Sequence, residues 1–124
     1  MVIIQFKNMI NDFHKRIIII SKSNDIINDI TNNIPNSVMA PINLLKNPST
    51  VTKKMLLPLI DAEYLVFDNV NEINDKYIMR IKSLIYDGFF CKGYQLEPKK
   101  IIIITDTPSI FESVPTIKLR STFI

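Results

Sequence analysis

The sequence predicts an α/β domain in which helices cover both faces of a mostly parallel sheet. Three short runs, residues 17–20, 65–67 and 101–104, are apolar at every position, as strands buried on both faces are. The segments between them carry apolar stripes at helical spacing. We therefore expect a three-layer α/β/α sandwich of about five strands plus a small β-hairpin, with these three runs as adjacent, central, parallel strands.

Three helices are expected to connect the strands. Each has a polar residue suited to capping its first turn or a residue that ends it. The first helix is expected to begin at Ser23 or Asn24 and to stop at Pro35. The second is expected over residues 51–60, with Pro58 kinking it or ending it early. The third is expected to begin at Asn74 or Asp75, with Gly88 directly after its end.

The remaining strands are short. Residues 37–40 form a candidate strand after the first helix. Residues 89–91 and 94–96 flank a turn that contains Gly93, which predicts a β-hairpin. Residues 117–124 alternate apolar and polar side chains, as an edge strand with one buried face does.

Composition indicates one globular domain spanning residues 1–124, without repeats or low-complexity tracts. The chain is 47% hydrophobic and 22% charged, with a formal net charge of +3 that permits nucleic-acid binding without indicating it. It contains one histidine and one cysteine, which excludes an internal disulfide and a Cys/His zinc cluster. No apolar run is long enough to span a bilayer and no signal peptide is recognised, so a cytoplasmic protein with no membrane association is expected.

Residues 64–72 read Tyr-Leu-Val-Phe-Asp-Asn-Val-Asn-Glu, a hydrophobic strand that ends in an acid. This segment resembles a Walker B motif. From there to the end, the order of features is similar to the P-loop NTPase core of the AAA+ and superfamily 3 helicases: Walker B strand, helix, hairpin, sensor-1 strand, then an arginine before a last strand. Residues 119–123, Leu-Arg-Ser-Thr-Phe, also resemble a box of DnaA-related initiators.

The resemblance implies roles for six residues. Asp68, Asn69 and Glu72 are Walker B-like, Thr105 and Asp106 are sensor-1-like, and Arg120 is arginine-finger-like. Each acidic or basic residue also has a structural interpretation that the sequence leaves open. Asp68 can cap a helix or face water, Asp106 can open an Asx-Pro turn, and Arg120 can discourage pairing at an edge strand.

Two departures from the family argue against nucleotide hydrolysis. The segment after the first strand, Ser21-Lys22-Ser23-Asn24-Asp25, has no glycine, although the phosphate-binding loop of the family depends on glycine. Asn69 stands where the family often has its catalytic acid, and a carboxamide cannot accept a proton from water. We therefore expect no nucleotide cofactor, no metal and no catalytic residue.

These observations favour a non-catalytic relic of a replication-type ATPase that binds nucleic acid or a replication protein, with homo-oligomerisation left open. Lys92, Lys99 and Lys100 are the candidate nucleic-acid contacts, the alternative for Lys92 being a solvated turn. Two other hypotheses remain. The chain is either an NTPase subunit completed by a partner, or a small viral or mobile-element interaction protein with no link to replication.

Overall fold

The computed structural model describes residues 16–91, 93–118 and 121–123. Its strands are β1 (Ile17–Ser21), β2 (Ser37–Met39), β3 (Tyr64–Phe67), β4 (Phe89–Cys91), β5 (Tyr94–Leu96), β6 (Lys100–Thr105) and β7 (Ser121–Phe123). Its helices are α1 (Ile26–Asn33), α2 (Asn43–Lys46), α3 (Lys53–Leu56), α4 (Asp75–Tyr86), α5 (Ser109–Glu112) and α6 (Pro115–Lys118). Two 3₁₀ turns, Pro48–Thr50 and Leu57–Leu59, flank α3.

A five-stranded sheet in the order β2-β3-β6-β1-β7 forms the centre, and β4 pairs with β5 in a separate antiparallel hairpin. All neighbours in the large sheet are parallel. The three apolar runs are β1, β3 and β6, which occupy the middle of the sheet. Ile101 of β6 is in register with Ile17 on one side and Leu65 on the other. The prediction of adjacent, central, parallel strands is confirmed.

The two faces of the sheet are covered by different helices. Side chains alternate along each strand, so Ile19 and Ile103 lie on one face while Ile18 and Ile102 lie on the other. Helices α2 to α6 contribute buried residues to the first face, and α1 covers the second. This arrangement confirms the predicted three-layer α/β/α sandwich.

Helix α4 and the hairpin form as the sequence predicts. The Asn74 side chain accepts a hydrogen bond from the Tyr77 backbone N–H at 3.0 Å and caps the helix. At the other end Gly88 adopts φ +79°, and its N–H donates to the Ser83 carbonyl at 2.9 Å. A Cβ at Gly88 would lie 1.9 Å from the Leu96 carbonyl oxygen, so only glycine fits where the hairpin meets the helix.

The first helix stops before Pro35 and the second ends early at Pro58, as predicted, but the start of each helix differs from the prediction. Asp25 precedes α1 with φ +63° and makes no side-chain cap, so neither Ser23 nor Asn24 caps this helix. The second helix is much shorter than residues 51–60. It begins after Thr52, whose hydroxyl accepts from the Met55 N–H, and becomes the 3₁₀ turn Leu57–Leu59 because Pro58 has no N–H to continue an α-helix.

The predicted edge strand over residues 117–124 is also partly wrong. Residues Pro115–Lys118 form helix α6, with proline at its first position, where a missing N–H has no cost. Ile117 is buried in the core from this helix. Among the described residues of this segment, Ser121–Phe123 is extended, and it pairs with β1 at the edge of the sheet.

Candidate functional site

Polar residues from three strands meet at the carboxyl edge of the sheet, because parallel strands end on the same side. The Lys22 N–H donates to the Thr105 carbonyl at 2.9 Å, which ties the segment after β1 to the end of β6. The Lys22 ammonium donates to Asn69 Oδ1 and lies 3.8 Å from Asp68 Oδ1. The structure therefore brings Lys22 and two of the Walker B-like residues together.

The backbone turns sharply directly after Asp68. Asn69 adopts φ +56°, a left-handed conformation that asparagine tolerates better than most residues. Its N–H donates to Asp68 Oδ1 at 2.8 Å. The Asp68 carboxylate is thus occupied by the turn and by Lys22, rather than by the cap of a helix.

Asn71, which sequence analysis did not single out, joins β3 to β6. Its Oδ1 accepts from the Thr105 hydroxyl at 3.1 Å and from the Asp106 N–H at 2.7 Å. Its Nδ2 donates to Asp106 Oδ2 at 3.2 Å. The only signal in the sequence is a carboxamide in the loop after one buried strand and a Thr-Asp-Thr segment after another.

The sensor-1-like residues belong to this internal network. Thr105 is buried, and its hydroxyl also accepts from the Thr107 N–H at 3.0 Å. A threonine side chain therefore closes the turn, where the sequence had suggested Asp106 in an Asx-Pro turn. Neither Thr105 nor Asp106 lines the cleft beside Lys22.

That cleft has a volume of about 430 Å³ and lies between the end of β1 and the start of α1, beside Asp68. Its lining residues are Lys22, Ser23, Asn24, Asp25, Ile26, Ile27, Asn28 and Asp68. One lysine thus faces two aspartates, and the lysine already contacts Asp68. The left-handed position before α1 is held by Asp25, whose carboxylate repels a phosphate where glycine N–H groups would attract one.

Glu72 lies apart from the cleft beside Lys22. Its Oε1 accepts from the Tyr77 hydroxyl at 3.2 Å, and both residues line a separate cavity. Burial, together with the neighbouring Glu72 carboxylate, raises the pKa of Tyr77 above its ordinary value. Glu72 is therefore not positioned to act as a base at Lys22.

The opposite, amino edge of the sheet holds Lys99 and Lys100. Lys99 is 7% exposed, and its ammonium donates to the carbonyls of Ile60 and Ala62. Lys99 is therefore not a surface phosphate contact, contrary to the prediction. Lys100 is half-buried and pairs with Glu63 at 3.4 Å. Lys92 and Arg120 lie outside the described residues.

Comparison with protein-family models gives no match, and comparison with curated proteins gives none either. Within residues 16–91, 93–118 and 121–123, no helix has the length and apolar character needed to cross a membrane. The same part of the chain holds no group of three or more His, Cys, Asp and Glu side chains placed to bind a metal.

Proposed function

We propose that this chain is a non-hydrolysing P-loop NTPase-like domain that binds single-stranded nucleic acid through its β-hairpin. The observation that carries the proposal is Phe90, which is 72% exposed on β4 and is the most exposed large apolar side chain in the described part of the chain. Nucleic-acid bases stack on exposed aromatic rings irrespective of sequence.

The hairpin is built to hold Phe90 in solvent. Phe90 is opposite Gln95 in the antiparallel pair, so both side chains share the outer face. Phe89 and Leu96, also paired, point the other way and pack against the core. The anchored inner face fixes the orientation of the outer one.

Positive charge lies near the turn end of the hairpin. Lys53 Nζ is 4.4 Å from the centre of the Tyr94 ring, and Tyr94 directly follows the turn. Lys54 is the next residue on the same helix and is exposed. By sequence, Lys92 belongs to the turn itself. Tyr94 lies on the inner face of the hairpin with Leu96 and packs against the core, so Lys53 contacts the face opposite Phe90. Lys92, in the turn, is the lysine that suits contact with a phosphate backbone that passes Phe90.

The carboxyl edge supports the non-hydrolysing part of the proposal. The strand order, with the sensor-1-like β6 between β1 and the Walker B-like β3, supports a relation to the AAA+ and superfamily 3 group. Yet Lys22, the one lysine in the cleft, contacts Asp68 and Asn69, and Asp25 adds a second negative charge. A nucleotide phosphate would have to displace these contacts and meet two carboxylates.

The hairpin is tested by fluorescence anisotropy with a labelled single strand at low and moderate salt. We expect Phe90→Ala to weaken binding by about 5- to 150-fold, the equivalent of the roughly 1–3 kcal/mol of one base stack. Lys92→Glu should weaken it and reduce its salt dependence. The matched control is Met79→Ala, which truncates a side chain 66% exposed on α4. No binding at low salt, or equal binding by all variants, contradicts the proposal.

The nucleotide prediction is tested separately by calorimetric titration with Mg²⁺-ATP and Mg²⁺-GTP. We expect no saturable binding at micromolar concentrations and no hydrolysis. Saturable binding that Lys22→Met abolishes would overturn this part of the proposal and favour an NTPase that a partner completes.

A further inference from the structure

A cavity of about 200 Å³ that includes Asn69 lies beside the carboxyl edge and shares no lining residue with the Lys22 cleft. It is lined by the loop after β3, by the end of α2 and by the start of α4. Ile42 and Val70 supply apolar surface, while Lys46, Glu72 and Tyr77 supply polar groups. Ligands of open parallel sheets bind outside the carboxyl ends of the strands, and small-molecule sites combine apolar walls with a few polar groups.

The two charged groups of this cavity do not neutralise each other. The ion pairs among the described residues are Lys22–Asp68 and Lys100–Glu63, so Lys46 and Glu72 line one cavity without pairing. A positive and a negative group thus remain available on the walls of a single small space.

Tyr77 holds the acidic side of the cavity in place. It is 6% exposed, and its hydroxyl donates to Glu72 Oε1 at 3.2 Å. Because burial and Glu72 both raise the pKa of Tyr77, the hydroxyl keeps its proton and remains a donor. Glu72 Oε2 accepts no hydrogen bond from the described residues and is left for a ligand.

We propose that this cavity binds a small zwitterion of the α-amino acid class, with Lys46 contacting the carboxylate and Glu72 contacting the ammonium group. The Glu72 carboxylate would repel a simple anion, and the Lys46 ammonium would repel a simple cation. The volume of about 200 Å³ suits a ligand of the order of ten non-hydrogen atoms. The site shares no residue with the hairpin, so it does not rest on the proposed function.

The probes are glycine, L-valine, L-glutamine and L-phenylalanine, each titrated into the isotope-labelled protein at millimolar concentrations. We expect saturable shifts of the Val70 and Glu72 amide signals with at least one of them, and none at Phe90. The N-acetyl and amide derivatives of that amino acid, which each lack one charge, should bind roughly tenfold more weakly or worse.

Lys46→Met and Glu72→Gln should each weaken binding by roughly tenfold or more, whereas Lys54→Met, an exposed lysine of α3, should leave it unchanged. All three positions are exposed, and the same spectra report whether each variant is folded. The proposal is overturned if none of the four amino acids gives saturable shifts. It is also overturned if the N-acetyl form binds equally well, or if both cavity variants bind with unchanged affinity.

Discussion

The two edges of the sheet hold a lysine in opposite ways. At the carboxyl edge, Lys22 has a side chain 36% exposed and contacts the side chains of Asp68 and Asn69. At the amino edge, Lys99 is buried and donates to two backbone carbonyls. A lysine whose partners are exposed side chains can exchange them for water or a ligand. A lysine that satisfies buried carbonyls is part of the structure.

Burial accounts for the difference in electrostatics. It lowers the pKa of Lys99 from its ordinary value of 10.5, and the carboxylates of Asp61 and Glu97 oppose that shift. The carbonyl partners of Lys99 belong to the segment between the second 3₁₀ turn and β3. Lys99, the residue directly before β6, therefore joins that segment to the start of the strand, and its charge is not available to a partner molecule.

The largest effect is expected in the strand that connects the two edges. Ile103 of β6 is fully buried, so Ile103→Ala leaves a cavity and should lower the free energy of unfolding by about 2–5 kcal/mol. Urea denaturation measures this loss. Met79→Ala, on the exposed face of α4, is the control and should stay within about 0.5 kcal/mol. A loss below about 1 kcal/mol for Ile103→Ala would mean that β6 is not in the core.

Lys99→Met should have the next largest effect. Methionine keeps most of the apolar stem but leaves the Ile60 and Ala62 carbonyls without a donor, which should cost roughly 1–3 kcal/mol of unfolding free energy. Lys54→Met, at an exposed position, is the matched control and should be close to neutral. An equal effect of the two substitutions would remove the distinction between buried and surface lysines.

The pH dependence supplies a second measurement of Lys99. Because its folded pKa lies below 10.5, the unfolded chain binds more protons as the pH approaches that value, and this group makes stability rise with pH. Tyr77, with a pKa raised above 10.0, makes stability fall above that pH, so the comparison is made in a Tyr77→Phe background. Parallel profiles with and without Lys99→Met would contradict this assignment.

Most of the fold could be predicted because its signals are local. Runs that are apolar at every position can be satisfied only inside a covered sheet, which fixed β1, β3 and β6 at its centre. Gly88 and Gly93, both at positive φ, marked the end of α4 and the turn of the hairpin. The early end of the second helix at Pro58 follows the prediction, whereas its start after Thr52 does not. Helix α6 was not predicted, because the burial of Ile117 outweighed an alternating pattern.

The candidate site was less predictable because its contacts join distant parts of the chain. Lys99 and Lys100 are adjacent and look alike in sequence, yet the first bonds to carbonyls 37 and 39 residues away and the second lies beside Glu63. Asn71 likewise meets partners 34 and 35 residues away. The position of Asp68 at the carboxyl edge could be predicted because it follows a buried strand. No local pattern in the sequence indicates that Lys22 contacts it.

The smallest effect is expected for Lys22 itself. Its pair with Asp68 is partly exposed and 3.8 Å long, so Lys22→Met should change the free energy of unfolding by less than about 1 kcal/mol. A double-mutant cycle with Asp68→Asn isolates the pair, because the substitution leaves Asn69, the other partner of Lys22, unchanged. We expect a coupling energy of no more than about 1 kcal/mol that declines in high salt. A coupling energy above about 2 kcal/mol that salt does not reduce would mean that Lys22, like Lys99, is part of the structure. The contrast between the two edges of the sheet would then be wrong.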